Sequence, residues 1–246
     1  MRAFGKMQAS KVSAELRKVG NPALAKSQAW FYKTGPGEYG EGDRFLGIRV
    51  PISRSVAREF KNLPLSEIQK LAMSEFHEER FCALVILVNR YKSPKHFHER
   101  EDLFNLYLEL LDLRKVNHWD LVDCSATHLG AHLFGREDVF EHLKTFADSG
   151  DLWKQRVSII FTYALIKEHE LEPTFQIVEY LMDHEHDLIH KAAGWMLREA
   201  GKKDLAALRR FLEEFSATMP RTMLRYAIEK MSREERDHWL SQKSTR

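Results

Sequence analysis

Glu79-Arg80-Phe81-Cys82-Ala83-Leu84-Val85-Ile86-Leu87-Val88-Asn89-Arg90-Tyr91 places Phe81, Leu84, Val85 and Val88 at i, i+3, i+4 and i+7. That is the spacing of one apolar face of an α-helix. Ser93-Pro94 ends the run, because proline disfavours the α conformation in the residue before it. Arg80 opens the run, and outward from it the same grammar returns. Asp120, Arg156, Lys191 and Arg221 each open a further stretch of small or apolar residues, at successive separations of 40, 36, 35 and 30.

A period of roughly 30 to 45 residues, each unit an αα-hairpin, is the mark of a HEAT-like solenoid. Ser66–Met73, Glu101–Leu113, Val139–Ala147, Pro173–Asp183 and Leu205–Phe215 are the expected first helices. They pair with Glu79–Tyr91, Val116–Phe134, Leu152–Lys167, Leu188–Ala200 and Pro220–Met231. Gly135, Gly150, Pro173, Gly201 and Pro220 punctuate the junctions. The N-terminal part reads differently, with helices expected over Ala9–Val19, Pro22–Lys33 and Ile52–Phe60. Between them Thr34-Gly35-Pro36-Gly37-Glu38-Tyr39-Gly40-Glu41-Gly42-Asp43 reads as a flexible connection. It is no phosphate-cradling loop, since no Gly-Lys-Ser/Thr follows. One domain over 1–246 is expected: N-terminal helices over about 9–60, repeats over about 66–231, and a tail from 232 to 246.

Composition narrows the class. With 43% hydrophobic residues in 246, a substantial core is affordable, and only 12 Gly and 7 Pro disfavour an all-β chain. Cys82 and Cys124 stand alone in apolar contexts and read as reduced thiols of a cytoplasmic protein. Met1-Arg2-Ala3-Phe4-Gly5-Lys6 has no apolar run, so no secretory signal is expected, and no apolar stretch is long enough for a bilayer. Residues 1–60 hold 11 Lys+Arg against 5 Asp+Glu, residues 61–200 hold 16 against 24, and residues 201–246 hold 11 against 7. Basic ends around an acidic middle suit a polyanion such as DNA, although solvated faces of differing sign read the same way. Arg80, Arg156, Lys191 and Arg221 would sit at helix N-termini, where free N–H groups and the helix dipole also favour phosphate.

Trp119 and Asp123 are four apart, so indole and carboxylate share a helix face. Ala126, Thr127 and Gly130 continue that stripe with small groups, which suits close approach of a large ligand, while Leu121, Val122, Ser125 and Leu129 form a core side. Taken singly, Trp119 fits a core and Asp123 an ion pair equally well. Arg156, near Trp153 and Ile160, fits a stacked structural arginine or a bidentate phosphate clamp. Trp195 alone reads as core more often than as a ligand platform. Arg221 and Arg225 fit phosphate contacts or solvated helix ends. His128 with His132, and His184, His186 and His190, have metal-compatible spacing, but no His-Glu-x-x-His is present, and surface histidines are the expectation. No metal or cofactor is implied, and no Gly-x-Ser-x-Gly supports a nucleophilic serine.

Five segments together carry a resemblance. They are Phe45-Leu46-Gly47-Ile48, Trp119-Asp120-Leu121-Val122-Asp123, Leu129-Gly130, Leu152-Trp153-Lys154-Gln155-Arg156 and Lys191-Ala192-Ala193-Gly194-Trp195-Met196-Leu197-Arg198-Glu199. In this order, across roughly residues 20 to 231, the chain resembles the AlkD family of bacterial alkylpurine DNA glycosylases, which are HEAT-like repeat proteins. The resemblance implies an all-α fold, a right-handed superhelical solenoid of HEAT-like antiparallel helix pairs with a concave DNA-binding groove. It implies a site of Trp119, the catalytic Asp123, Arg156 and Trp195, with a family tyrosine falling on or near Phe31 between Trp30 and Tyr32.

The implied activity is hydrolysis of the N-glycosidic bond of positively charged N3- or N7-alkylated purines in duplex DNA. An alkylated purine already carries positive charge, so it leaves with little help from a general acid. What needs stabilising is positive charge growing on the deoxyribose, and a single carboxylate meets that need and orients the water. Trp119 and Trp195 add cation–π stabilisation, and Arg156, with Lys191, Arg80, Arg221 and Arg225, holds backbone phosphates. Base flipping is the usual expectation for such enzymes, but the resemblance implies contact with the backbone around the lesion instead, by a monomer without a cofactor. The alternative is a non-catalytic HEAT-like binder of unusual DNA structures. A protein scaffold ranks third.

Overall fold

In the computed structural model, residues 7–242 are described. The basic start at 1–6 and the last four positions lie outside them. The described residues form helices, two 3-10 turns and a single isolated bridge between Arg44 and Phe76. The all-α expectation is borne out. The chain divides into two units at Ser125 and Ala126, a point inside the helix Trp119–Leu129.

The first unit holds α1 (Ala9–Lys18), α2 (Pro22–Phe31), α3 (Val50–Glu59), α4 (Leu65–Ala72), α5 (His77–Lys92), α6 (Arg100–Asp112) and the start of α7 (Trp119–Leu129). Asn21 caps α2 by accepting from the Ala23 and Leu24 amides, with Pro22 in the first turn where no donor is lost. The stretch 81–88 of α5 is wholly buried, and α3 and α4 pack against it. That is why its apolar residues run almost unbroken around the helix. A 3-10 turn at Pro94–Glu99, not expected from the sequence, follows the Ser93-Pro94 break. Arg114, with φ of +55°, ends α6 in the left-handed region, and the Lys115 amide donates to the Leu110 carbonyl.

The second unit begins with the end of α7 and continues through a 3-10 turn (Gly130–Leu133), α8 (Val139–Ala147), α9 (Leu152–Lys167), α10 (Glu172–Tyr180), α11 (Asp187–Lys203), α12 (Leu205–Phe215), α13 (Arg221–Ala227) and α14 (Arg233–Ser241). Successive second helices stack, α9 on α11 and α11 on α13, while α8 lies against α9 and α12 against α11. This is the nearest-neighbour burial of a repeat array. The stretch from 232 was expected to be a tail; it carries α14 instead. The Ser232 side chain accepts from the Glu235 amide, and Trp239 is buried. Among the described residues no helix is long and apolar enough to cross a membrane.

Two glycines are dictated by packing. A Cβ on Gly130 would lie 2.0 Å from the Phe161 carbonyl oxygen of α9, and one on Gly194 would lie 2.4 Å from the Met223 carbonyl oxygen of α13. Ala126 and Thr127 are likewise buried. The small stripe on α7 therefore admits protein backbone, which corrects the expectation that it opens space for a ligand. Gly130→Ala is expected to cost about 1–3 kcal/mol of stability through overpacking, read as a lowered urea midpoint at unchanged m-value.

Candidate active site

Trp119 opens α7, half-buried, with its indole stacked on the Tyr32 ring at a centroid distance of 5.5 Å and an interplanar angle of 6°. Phe31 meets both rings edge-on, at 6.3 Å from Trp119 and 5.2 Å from Tyr32. Asp123, one turn further along α7, is also half-buried. Trp119 and Asp123 are thus both half-buried, one turn apart on α7, with an aromatic stack supporting the tryptophan. Phe31 stands at its rim, 56% exposed, and Trp30 beside it is 77% exposed.

Beneath that stack lies a polar network that the sequence reading did not foresee. Asp120 Oδ2 accepts from His77 Nε2 at 2.8 Å and from the Tyr32 hydroxyl at 3.3 Å, and its Oδ1 meets His118 Nδ1 at 3.1 Å. His118 Nε2 lies 3.1 Å from the Tyr32 carbonyl. On the far side of His77, Nδ1 meets Asp43 Oδ2 at 2.7 Å, and Arg80 Nη2 donates to Asp43 Oδ1 at 2.7 Å. His77 is 3% exposed and His118 fully buried. Arg80 also donates to the Ser74 carbonyl and to Asn117. It is no surface cation: at 4% exposure its charge meets Asp43 within the core, contrary to the expectation of a groove-lining phosphate contact.

Both ring nitrogens of His77 face carboxylates, so both carry protons. Burial alone disfavours that charge, but the Asp120 carboxylate, with hydrogen bonds to Asp120 and Asp43, outweighs it and raises the imidazole from 6.5 to about 9. Burial likewise pushes Asp120 up, but the His77 charge and the hydrogen bonds from His118 and His77 hold it well below the usual carboxylate range. Asp43 is lowered too, because the His77 hydrogen bond and the Arg80 charge outweigh its burial. Burial, then Asp120, raises Tyr32, whose hydroxyl stays a donor.

These shifts fix a pH dependence of stability. His77 has a higher value folded than unfolded, so its contribution is complete below about pH 6.5 and is lost as pH rises through about 9. Asp43 and Asp120 have lower values folded, so theirs is present above the ordinary carboxylate range and is lost in acid. The melting temperature is expected to fall between about pH 6.5 and 9, and scanning calorimetry across that range checks it. A constant melting temperature there would contradict a charged His77.

The same network fixes the segment before α3. Asp43, the last residue of the glycine-rich stretch, is anchored by His77 and Arg80, and the Gly40 amide donates to the Lys33 carbonyl. A Cβ on Gly40 would lie 2.4 Å from the Tyr32 carbonyl oxygen. The stretch is thus a chain of turns tied into the site, which corrects its reading as a flexible connection. Next to it, the buried Glu78 carboxylate accepts from the Leu46, Gly47 and Ile48 amides at 2.8, 2.9 and 3.0 Å. Gly47 has φ of +80°, and a Cβ there would strike the Asn21 carbonyl. The Phe45-Leu46-Gly47-Ile48 segment is accordingly a backbone nest around one carboxylate.

In the second unit, Asp151 caps α9 by accepting from the Trp153 and Lys154 amides. Arg156 on α9 is 4% exposed, and its Nη1 donates to the Leu188 carbonyl at 2.5 Å, where α11 begins. On α11, Lys191 pairs with Asp187 at 2.7 Å, and Trp195 one turn later is half-buried, its ring 6.0 Å from Tyr163. On α13, Arg221 and Arg225 are exposed, and Arg221 Nη2 donates to the Leu240 carbonyl. Arg156 and Trp195 thus belong to adjacent stacked helices, as do Lys191 and the arginines of α13. His184, His186 and His190 form a local cluster: His186 accepts from the Leu188 amide at the start of α11, and His184 bonds to Gln155. Among the described residues no group of His, Cys, Asp and Glu could hold a metal ion. Both cysteines are free, and burial pushes the Cys82 thiol up to about 12.

A family model described as DNA alkylation repair enzyme matches residues 12–231. The solved structure of a "Predicted DNA alkylation repair enzyme from Enterococcus faecalis" is similar in fold, with a TM-score of 0.68 and 17% identity over 87% of this chain and 97% of that one. No curated protein matches the chain. The family match spans the Phe45–Ile48 nest, the Trp119–Asp123 face and the stacked α9, α11 and α13, and the chain therefore belongs to the family of DNA alkylation repair enzymes.

Proposed function

We propose that the protein is a monofunctional DNA glycosylase that releases positively charged N3- and N7-alkylated purines from duplex DNA. The observation that carries this reading is the position of Asp123 on α7, one turn from a Trp119 braced by the Tyr32 ring. Asp120 accepts from His77 and Tyr32 and meets His118, and its charge is matched in the core by His77. Asp123 stands on the Trp119 face, half-buried. A face meant only for phosphates gains nothing from a carboxylate there.

In the reaction the C1′–N bond breaks and its electron pair passes to the base, neutralising the formal charge of the alkylated ring. Positive charge develops on C1′ and the ring oxygen of the sugar, and the Asp123 carboxylate stabilises it. A water oriented by the same carboxylate then bonds to C1′, and its proton passes through Asp123 to solvent. Trp119, fixed by Tyr32, and Trp195 supply ring faces to the cationic centre. Lys191, Arg221 and Arg225 hold phosphates of the lesion strand, and Phe31 packs on the DNA backbone, while Arg156, buried like Arg80, braces the start of α11 through the Leu188 carbonyl instead of clamping a phosphate. In this reading, which follows the family resemblance, the enzyme contacts the backbone around the lesion without extruding the base, and the protein acts as a monomer without cofactor.

The test is base release from two duplexes, one carrying N7-methylguanine and one carrying the neutral O6-methylguanine. Release of the charged base alone is expected. Release of neither, with salt-dependent duplex binding intact, would instead assign a binder of unusual DNA structures.

A further inference from the structure

Away from the Trp119 face, the first unit has a cavity of about 470 Å³ where the C-terminal ends of α3 and α5 meet the Pro94–Glu99 turn. That volume falls within the roughly 300–1,000 Å³ of small-ligand pockets. Arg58, Lys61, Arg90 and Lys95 bring positive charge to its wall, and no Asp or Glu lines it. Asn62, Asn89 and Ser93 add neutral hydrogen-bonding groups between the cations.

Arg90 is the built part of this cavity. Its side chain is nine-tenths buried, held by the Leu63 carbonyl and by Glu99. Its Nε is buried as well and has no hydrogen-bond partner, and a buried charged donor without an acceptor is costly. Glu99 also meets His96 at 3.0 Å and His98 at 3.7 Å, so the carboxylate that holds Arg90 is already engaged. Helix ends explain part of the pattern, because Arg58 and Arg90 lie in last turns where the dipole favours cations. They do not explain Lys61 and Lys95, which lie beyond the helices, or the amides and hydroxyl set among the charges. Cations interleaved with neutral donors around a concavity are the composition that receives an oxyanion.

We infer that this cavity binds a phosphate oxyanion, carried either by a free phosphate ester or by the backbone of nucleic acid. The inference does not depend on Asp123 or on base excision.

The experiment is a titration of inorganic phosphate followed by the backbone amide shifts of Asn62, Asn89 and Ser93. Sodium chloride at equal ionic strength is the control, and the triple variant Arg58→Glu, Lys61→Glu, Lys95→Glu is titrated in parallel. All three substituted residues are exposed, and a thermal melt confirms that the variant folds. Saturable shifts in the native protein, absent from the variant and from the chloride control, are expected. Unmodified duplex DNA then separates the two sources. If duplex displaces phosphate, and the variant's slope of log Kobs against log salt is shallower by about 0.9 per lost contact, the ligand is the nucleic-acid backbone. If duplex leaves phosphate in place, the ligand is a free phosphate ester. Equal shifts with chloride, or a variant that titrates like the native protein, would overturn the inference. Because no step requires base release, failure of the glycosylase reading would leave this outcome legible.

Discussion

Asp123→Asn is expected to slow release of N7-methylguanine by about a hundred- to a thousandfold, the usual effect of removing one preorganised charge-stabilising group, while duplex affinity stays within about twofold. The amide has the shape of the carboxylate without its charge, so it fits the half-buried position on α7. In the proposed mechanism the cations carry binding, so the loss should fall on the chemical step and not on affinity. Asp120→Asn is the informative neighbour. That residue neutralises His77, accepts from Tyr32 and meets His118, so its loss should appear first as a lowered melting temperature. Single-turnover rates and melting curves measured on both variants separate the two roles. If Asp120→Asn lost the chemical step while keeping its melting temperature, the assignment of Asp123 would be wrong.

His77→Leu is expected to destabilise the protein by about 3–5 kcal/mol, the typical cost of breaking a buried ion pair from one side. His77 bridges Asp43 and Asp120, and both carboxylates are buried with it. Leucine fills part of the volume but takes the His77 charge from both carboxylates, leaving Asp120 with the Tyr32 hydroxyl and the His118 ring and Asp43 with Arg80 and the Arg44 amide. The loss should be largest near pH 6 and shrink as pH rises through about 9, where native His77 itself gives up its proton. Urea unfolding at pH 6 and pH 9.5 reads both values, and a pH-independent difference would mean that packing, not charge, sets the cost. Because Tyr32 bonds to Asp120 and stacks on Trp119, the variant should also weaken catalysis, through the position of the indole.

Much of the fold was legible because the apolar spacing is local information. Val139–Ala147, Leu152–Lys167 and Leu205–Phe215 are helices at the expected bounds. The helix at Arg233–Ser241 escaped the periodicity argument because it is polar almost throughout and buries Trp239 alone. Its signal was the capping pattern Ser232-Arg233-Glu234-Glu235. That Trp119 and Asp123 share one helix, a turn apart, was also legible, since it needs only their four-residue spacing.

The network under that face was not legible, for a physical reason. His77 finds Asp43 across 34 residues and Asp120 across 43, and Tyr32 reaches Asp120 across 88. Such pairs are set by how helices pack, and no spacing in the chain announces them. The same limit misplaced Arg80, which by its position at the start of α5 suits a phosphate but folds onto Asp43. Gly130 and Gly194 show the converse: small residues next to functional-looking ones mark close backbone approach as readily as room for a ligand.

The most direct test of the account is a single-turnover time course on a duplex with one N7-methylguanine, run with the native protein and with Asp123→Asn at saturating enzyme. The account predicts an abasic site formed by the native protein and at least about a hundredfold slower release by the variant. Equal rates from the two proteins would contradict it, because the carboxylate on the Trp119 face would then have no part in breaking the glycosidic bond.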